Sequence, residues 1–245
     1  MRQPLAHYAP DFRAQLEALI ELRGAVAGFT FGPLSAADVE RLHESGSHVV
    51  GTATHVPKVS RGAMRAPMPS PAQGAEAGAH RGTFIGVFED ALVGMMALVP
   101  QLVDATGLPV LAAGGIMDGR GIVAARALGA QTAMMGIAFL TTRENAIAEV
   151  WKTRVRGMSD TPTTVTRAIT GRHARGIRNP LMQRLRESAE STTPYPVQNA
   201  LTQAQRQSAA RRSNRRDRTD DAARAGMASA LRANRRVHAL IAWPI

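Results

Sequence analysis

One histidine lies in a segment of small residues, QGAEAGAHRGTF, at residues 73–84. The glycines and alanines around His80 add little bulk, so the backbone of such a loop can approach a ligand closely. An imidazole with its ordinary pKa of about 6.5 exchanges a proton near neutral pH, which is the chemistry of a general base. On spacing alone, a surface histidine in a loop is the simpler interpretation, and the segment by itself leaves both open.

Glycines also follow two apolar runs farther along the chain. Gly114 and Gly115 come directly after residues 109–113, and Gly136 stands near the end of residues 130–139. In barrels of alternating strands and helices, the loops after consecutive strands commonly bind phosphate through backbone N–H groups. Tight turns alone would explain each glycine site taken singly. Two such sites on consecutive strands favour a cofactor that carries a phosphate.

The elements that would position these residues alternate between strand and helix. Apolar runs predict buried strands at residues 25–31, 49–54, 109–113 and 130–139. Helical spacing predicts helices at residues 11–22, 35–45, 91–106 and 119–128. Pro100 is expected to kink or divide the third of these helices. Strands and helices in alternation are typical of a parallel α/β fold.

Two stretches break the alternation. Residues 55–72 hold four prolines and predict an irregular loop where a helix and a strand are expected. Residues 181–245 predict a C-terminal extension that is partly helical, and its arginine-rich part, 203–245, is expected to be exposed helix or disordered. Similar length with altered composition is what compensating frameshifts would leave at 55–72, with a further frameshift in the tail.

Composition narrows the classes of protein. The 245 residues are 44% hydrophobic, which is enough for a sizeable core, and the absence of cysteine excludes disulfides and thiolate metal sites. No metal site is expected. Without a long apolar segment or a signal-peptide core, we expect a cytoplasmic protein with no membrane partner. The net charge of +11 is compatible with a nucleic-acid partner. The arginines of the chain, however, are concentrated at residues 205–236, where the aromatic residues that would stack on bases are lacking.

Four segments together resemble the nitronate monooxygenase family, FMN enzymes formerly called 2-nitropropane dioxygenases. They are QGAEAGAHRGTF, LVPQLVDATGLPVLAAGGIMDGRGIVAARALGAQTAMMGIAFL, TTVTRAITGRHARGIRN and PYPVQNAL. The resemblance implies a TIM-type (β/α)8 barrel, incomplete here because its first β/α units are absent, in residues 1–180. It also implies FMN as cofactor and oxidation of nitronates or nitroalkanes with O2.

The resemblance implies roles for individual residues. His80 would be the base that takes the acidic carbon proton of a nitroalkane. The implied flavin contacts are Gln73, Gly78, Gly114, Gly115, Met134, Met135, Gly136 and Ile137. Two positions depart from the family, which has glycine at Ala79 and commonly threonine at Ile137. The first departure matters if the backbone there needs a positive φ.

Three alternatives remain open. An FMN-dependent enoyl-acyl-carrier-protein reductase would have similar glycine motifs, and consumption of NAD(P)H would distinguish it. An inactive remnant of the family would explain the altered segments. An arginine-rich nucleic-acid-binding protein is the alternative of another class, and no RNA- or DNA-binding motif supports it. The sequence leaves the physiological substrate and the oligomeric state open.

Overall fold

The structure is a computed structural model of the chain. It describes residues 8–9, 11–56, 70–147, 149–159, 163–187, 192–213 and 239–242. The strands are β1 (Val26–Phe29), β2 (His48–Gly51), β3 (Ser70–Gln73), β4 (Ala79–His80), β5 (Val110–Ala113), β6 (Thr132–Met135), β7 (Thr163–Thr166), β8 (Ala174–Ile177) and β9 (Ala239–Ala242). The helices are α1 (Phe12–Leu22), α2 (Ala36–Glu44), α3 (Met95–Thr106), α4 (Gly119–Ala127), α5 (Ile137–Leu140), α6 (Glu149–Arg156), α7 (Pro180–Glu187) and α8 (Val197–Ser213).

The chain divides into two compact units. The first, called the parallel unit, comprises the described parts of Pro10–Ala77, Gly82–Met135 and Leu240–Ile245. The second, called the antiparallel unit, comprises the described parts of Met1–Ala9, Gly78–Arg81 and Gly136–Ala239.

In the parallel unit, strands β1, β2, β3, β5 and β6 form parallel pairs. β1 pairs with β2, and β3 pairs with β5, which pairs with β6. A parallel bridge between Ala53 and Ala72 joins the chain after β2 to β3. These parallel pairings confirm the predicted α/β class.

Local sequence explains the helices of this unit. The Asp11 side chain caps α1 by accepting a hydrogen bond from the Ala14 N–H at 2.8 Å, and Ser35 caps α2 by accepting from the Asp38 N–H at 3.1 Å. Capping oxygens satisfy backbone donors that have no partner inside the helix. The apolar faces of both helices then pack on β1 and β2 in one core cluster of Leu16, Ala27, Leu34, Val39, Leu42 and Val49.

The antiparallel unit has a small sheet in which β8 lies between β4 and β7. Both pairings are antiparallel, and the register sets His80 opposite Ala174 and Thr166 opposite Ala174 on the other side. A second core cluster is formed by Ile169, Ala174 and Met182. The sequence pattern predicts no sheet in this region, because none of its strands is longer than four residues.

The expected irregular loop at residues 55–72 is wrong at its C-terminal end. Ser70–Gln73 form the buried strand β3, with Pro71 inside it. The proline is accommodated because its carbonyl accepts a hydrogen bond from the Ala53 N–H at 2.9 Å, while Ser70 and Gln73 supply N–H donors to Pro109 and Ala53. Composition did not predict this strand, because proline is uncommon inside strands. Residues 57–69 lie outside the described part of the chain.

Two smaller expectations also need correction. Pro100 does not divide its helix, since α3 runs from Met95 to Thr106. The predicted strand at 130–139 ends at Met135, and a short helix, α5, follows Gly136. Exposed helix or disorder is expected from residue 203, and the described part of the tail is helical as far as Ser213. Residues 214–238, which hold most of the tail's arginines, lie outside the described residues.

Two features are absent from the described residues. No helix there combines the length and the apolar character needed to cross a membrane. In the same residues, no group of three or more His, Asp or Glu side chains is arranged to hold a metal ion.

The core cluster of the parallel unit gives a direct test. We expect Leu42→Ala, at a side chain that is 0% exposed, to lower the free energy of unfolding by about 2–5 kcal/mol, because it removes apolar contacts and leaves a cavity. Leu22→Ala is the matched control, since that leucine is 76% exposed, and should change the free energy by less than about 0.5 kcal/mol. Urea denaturation measures both, and equal effects would contradict the assignment of this core.

Candidate active site

The segment from residue 73 to residue 82, called the His80 loop, is closed by a side chain. Gln73 at the end of β3 accepts a hydrogen bond on its Oε1 from the Gly82 N–H at 2.8 Å. Gly82 has no room for a side chain, because a Cβ there would lie 2.7 Å from Cγ2 of Thr52. The glutamine that the resemblance assigned to the flavin therefore also joins the two ends of the loop within the parallel unit.

Glu76 anchors the first half of this loop. Its two carboxylate oxygens accept the Met95 N–H at 3.1 and 3.0 Å, at the N-terminus of α3. Gly94, the N-cap residue, has no side chain that could accept this N–H. The carboxylate of a distant loop therefore accepts it, and its negative charge interacts favourably with the helix dipole. Glycine is required at residue 74, where a Cβ would lie 2.7 Å from the Met95 nitrogen. Sequence reasoning missed Glu76, since nothing local links residues 76 and 95.

Gly114 and Gly115 pack beneath the same loop. Their φ angles are +112° and +70°, in the region that favours glycine. A Cβ on Gly114 would lie 2.9 Å from the Ala77 nitrogen, and one on Gly115 would lie 3.5 Å from Cβ of Glu76. The approach of the His80 loop thus explains Gly114 without a ligand. Gly115 has only ordinary contacts.

The neighbouring strand brings two methionines to the same edge. The register pairs Ala113 of β5 with Met134 of β6, so the carboxyl ends of the two strands lie side by side. Met135 is buried and Met134 is half-buried. The structure therefore brings together five predicted site residues within the parallel unit: Gln73, Gly114, Gly115, Met134 and Met135.

The other predicted residues belong to the antiparallel unit. Gly78 lies against Ile137, whose Cδ1 would be 2.9 Å from a Cβ at residue 78. Gly136 is exposed, and among the described residues a Cβ there would meet nothing within 4 Å. Space therefore adjoins the backbone at the end of β6, where a cofactor phosphate is expected.

His80 contacts Thr170, in the loop between β7 and β8, and Tyr195, in the segment before α8. Its Nε2 lies 2.9 Å from Oγ1 of Thr170. The Tyr195 ring meets the imidazole edge-on, with centroids 5.8 Å apart. That approach depends on Gly171, since a Cβ there would lie 2.5 Å from the Tyr195 nitrogen. Thr170 and Tyr195 lie inside motifs that carry the family resemblance, but spacing gave no sign that they meet His80.

The surroundings of His80 keep its ring neutral. Burial is the main cause, and the positive charges of Arg172 and Arg206 add to it, so the pKa of His80 falls from 6.5 to about 4. Each effect disfavours the imidazolium, either by desolvation or by like-charge repulsion. At pH 7 His80 therefore has one nitrogen lone pair and can accept a proton.

Ala79 is strained where the family has glycine. Its φ is +61°, in the left-handed region that costs a residue with a Cβ about 1–2 kcal/mol. The departure from Gly-Gly-His is therefore not neutral for the backbone. The strain lies directly before the candidate base.

Comparison with known proteins gives a consistent family assignment. Residues 3–242 match the family model described as Nitronate monooxygenase. A probable nitronate monooxygenase from Staphylococcus saprophyticus is 40% identical over 206 residues, which are 83% of this chain and 58% of that protein. One from Staphylococcus haemolyticus is 39% identical over 214 residues, covering 86% and 60%.

Solved structures extend the comparison to three dimensions. Nitroalkane oxidase from Streptomyces ansochromogenes superposes with a TM-score of 0.74 at 33% identity, over 91% of this chain and 66% of that one. FabK from Thermotoga maritima superposes with a TM-score of 0.64 at 25% identity, over 93% and 71%. The chain thus spans about 60% of the length of the curated relatives named above.

The strain at Ala79 predicts an unusual stabilising substitution. We expect Ala79→Gly to raise the free energy of unfolding by about 0.5–1 kcal/mol, because glycine adopts a positive φ without steric cost. Ala75→Gly is the matched control in the same loop, where φ is not positive, and it should destabilise by a similar amount. Urea denaturation compares the two, and effects of the same sign would contradict the strained geometry.

The lowered pKa of His80 predicts a dependence of stability on pH. Between pH 4 and pH 6.5 the unfolded chain binds a proton at this residue and the folded chain does not, so folding is favoured as pH rises. The contribution is fully present above about pH 6.5 and is lost as pH falls to 4, a change of about 3 kcal/mol. His80→Gln should reduce the slope of stability against pH in this window. Parallel profiles for the two proteins would contradict the shift.

Proposed function

The chain belongs to the nitronate monooxygenase family, and we propose that it acts in the FMN-dependent oxidation of nitronates by O2. The family assignment rests on a match over nearly the whole chain. The activity is proposed for this chain because it spans only 58% and 60% of the relatives whose names carry that function.

The observation that carries the proposal is the state of His80. It stands in the family motif, its ring is neutral at pH 7, and Nε2 is fixed by Thr170. A neutral, oriented imidazole can take a proton from the carbon next to a nitro group, leaving the nitronate anion and an imidazolium. The low pKa that keeps the ring neutral also makes it a weak base, so a substrate that is already a nitronate is favoured.

The charges near His80 support an anionic substrate. Arg172 and Arg206 lie close enough to lower the pKa of the imidazole. Arg206 is buried, and its guanidinium donates to the carbonyl and side-chain oxygens of Asn199 at 2.9 and 2.7 Å. Buried guanidinium groups stay charged and attract anions more strongly than exposed ones do. We therefore propose that nitronates, which are anions, are preferred as substrates over neutral nitroalkanes.

FMN is the proposed cofactor, and the residues present are compatible with it. The resemblance assigns Gly115 and Gly136 to its phosphate through their backbone N–H groups, and a Cβ on Gly136 would meet nothing within 4 Å among the described residues. Gln73, Gly78, Met134, Met135 and Ile137 are the further proposed contacts, with Gly114 supporting the loop. The flavin, when bound, supplies the electron transfer to O2, while this chain supplies orientation and proton transfer.

We also propose that the parallel unit is part of a TIM-type barrel. Its strands β1, β2, β3, β5 and β6 follow chain order with parallel pairing, and helices lie between β1 and β2, between β3 and β5 and between β5 and β6. Barrels of this type carry their sites at the carboxyl ends of the strands. Gln73, Gly114 and Met135 all stand at such ends.

The proposal predicts flavin binding and oxygen uptake. The purified chain, incubated with FMN and passed through gel filtration, should retain the flavin absorption band and consume O2 with a preformed nitronate in the absence of NAD(P)H. With a neutral nitroalkane, His80→Gln should lower kcat by about 10²–10⁴-fold, because the base is lost. His43→Gln, at an exposed histidine of α2, should not.

Two results would contradict this function. A colourless chain after gel filtration would argue against FMN binding. Consumption of NAD(P)H without nitronate would favour the reductase alternative.

A further inference from the structure

Helix α8 has a buried face that is polar. Gln198, Thr202 and Arg206 are spaced four residues apart, so they lie on one side of the helix. They are 9%, 6% and 7% exposed, and every fully buried side chain in the described residues 197–208 is one of these three. A helix that only packs on a core usually buries an apolar face instead. The buried face of α8 therefore indicates directed hydrogen bonds rather than apolar packing.

Gln198 binds the loop between β7 and β8. Its Nε2 donates to the Ala168 carbonyl at 2.7 Å, and its Oε1 accepts from the Thr193 hydroxyl at 2.9 Å. The orientation of the amide follows, because a backbone carbonyl only accepts and so must meet Nε2. The bond to Ala168 joins residues that are 30 positions apart, so it ties the loop to α8.

Thr202 binds the next residue of the same loop. Its hydroxyl oxygen lies 2.6 Å from the carbonyl oxygen of Ile169, and 3.1 and 3.3 Å from the carbonyl oxygens of Gln198 and Asn199 in its own helix. One hydroxyl has one proton, and the shortest of the three contacts is the one to the loop. The hydroxyl therefore donates to Ile169 rather than back to its own helix.

The loop connects these two bonds to His80. Thr170 directly follows Ala168 and Ile169, and its Oγ1 lies 2.9 Å from His80 Nε2. The Ile169 side chain also packs in the second core cluster. Apolar packing and the two hydrogen bonds from α8 thus hold the backbone that carries the Thr170 hydroxyl.

We propose that Gln198 and Thr202 are positioning residues for His80, because they hold the loop whose Thr170 meets the imidazole and so keep the ring in its partly buried place. Their role in catalysis rests on the proposed function above. The hydrogen bonds themselves belong to the folded chain and need neither flavin nor substrate. Arg206, the third residue of the polar face, acts on the ring through its charge instead.

An NMR titration of His80 in the flavin-free chain tests the positioning role, with His80→Gln used to assign the signal. Loss of either bond leaves a buried carbonyl without that donor, so the loop shifts or admits water and the imidazole becomes more exposed. We expect Thr202→Val and Gln198→Met each to raise the pKa of His80 from about 4 by about one pH unit, toward its ordinary value. Both variants keep the charges of Arg172 and Arg206, so the change reports the position of the ring.

Matched variants separate this role from a general loss of stability. Thr202→Ser keeps the hydroxyl and should keep the midpoint of the wild-type chain. Gln205→Met, at an exposed glutamine of the same helix, should leave the midpoint unchanged as well. If Thr202→Val does not give a dispersed spectrum, Thr202→Ala replaces it in the comparison. Midpoints that stay at the wild-type value or fall in the folded variants without the Thr202 hydroxyl or the Gln198 amide would overturn the proposal.

The pH profile of turnover separates this inference from the proposed function. With a neutral nitroalkane, the acid limb of kcat/KM reports the base of the free enzyme. That limb should move to higher pH together with the NMR midpoint in Thr202→Val and Gln198→Met, and it should stay in place in Gln205→Met. An inactive wild-type chain whose His80 midpoint still rises in the variants would contradict the proposed function alone. An active chain whose midpoint and acid limb are unchanged in both variants would contradict the inference alone.

Discussion

A partly buried imidazole beside two guanidinium groups is the constraint on which the antiparallel unit depends. Burial and the charges of Arg172 and Arg206 act in the same direction, so the ring is neutral over the physiological range. A neutral ring taken out of water still needs hydrogen-bonding partners, and Oγ1 of Thr170 lies 2.9 Å from its Nε2. The hydrogen bonds from α8 to the loop before Thr170 then follow as what keeps that hydroxyl in position.

The small residues of the His80 loop have a different cause from the one their composition first indicates. Gly74 lies against the N-terminus of α3, and Gly114 lies against the backbone at Ala77. Glu76 joins the loop to α3, and Gln73 closes it. Close packing of the protein on itself therefore accounts for most of the glycine pattern. Gly136 is an exception, because a Cβ there would meet nothing within 4 Å among the described residues.

Sequence periodicity predicts most of the parallel unit because its strands are continuous apolar runs between amphipathic helices. Periodicity does not predict strand β3, because Ser70 and Pro71 are not typical of a buried strand. Its pairing depends on the distant residues Ala53 and Val110. The motif identified His80, whereas Thr170 and Arg206 follow it by 90 and 126 positions and meet it only in the fold. Long-range contacts of this kind carry no local signal.

The neutral state of the partly buried His80 underlies the proposed proton transfer, and the two arginines beside it underlie the preference for an anionic substrate. The most direct measurement is an NMR titration of the His80 ring between pH 3.5 and pH 8, with His80→Gln used to assign its signal. We expect a midpoint near 4, because partial burial and two arginines oppose protonation. A midpoint near the ordinary value of about 6.5 would contradict it.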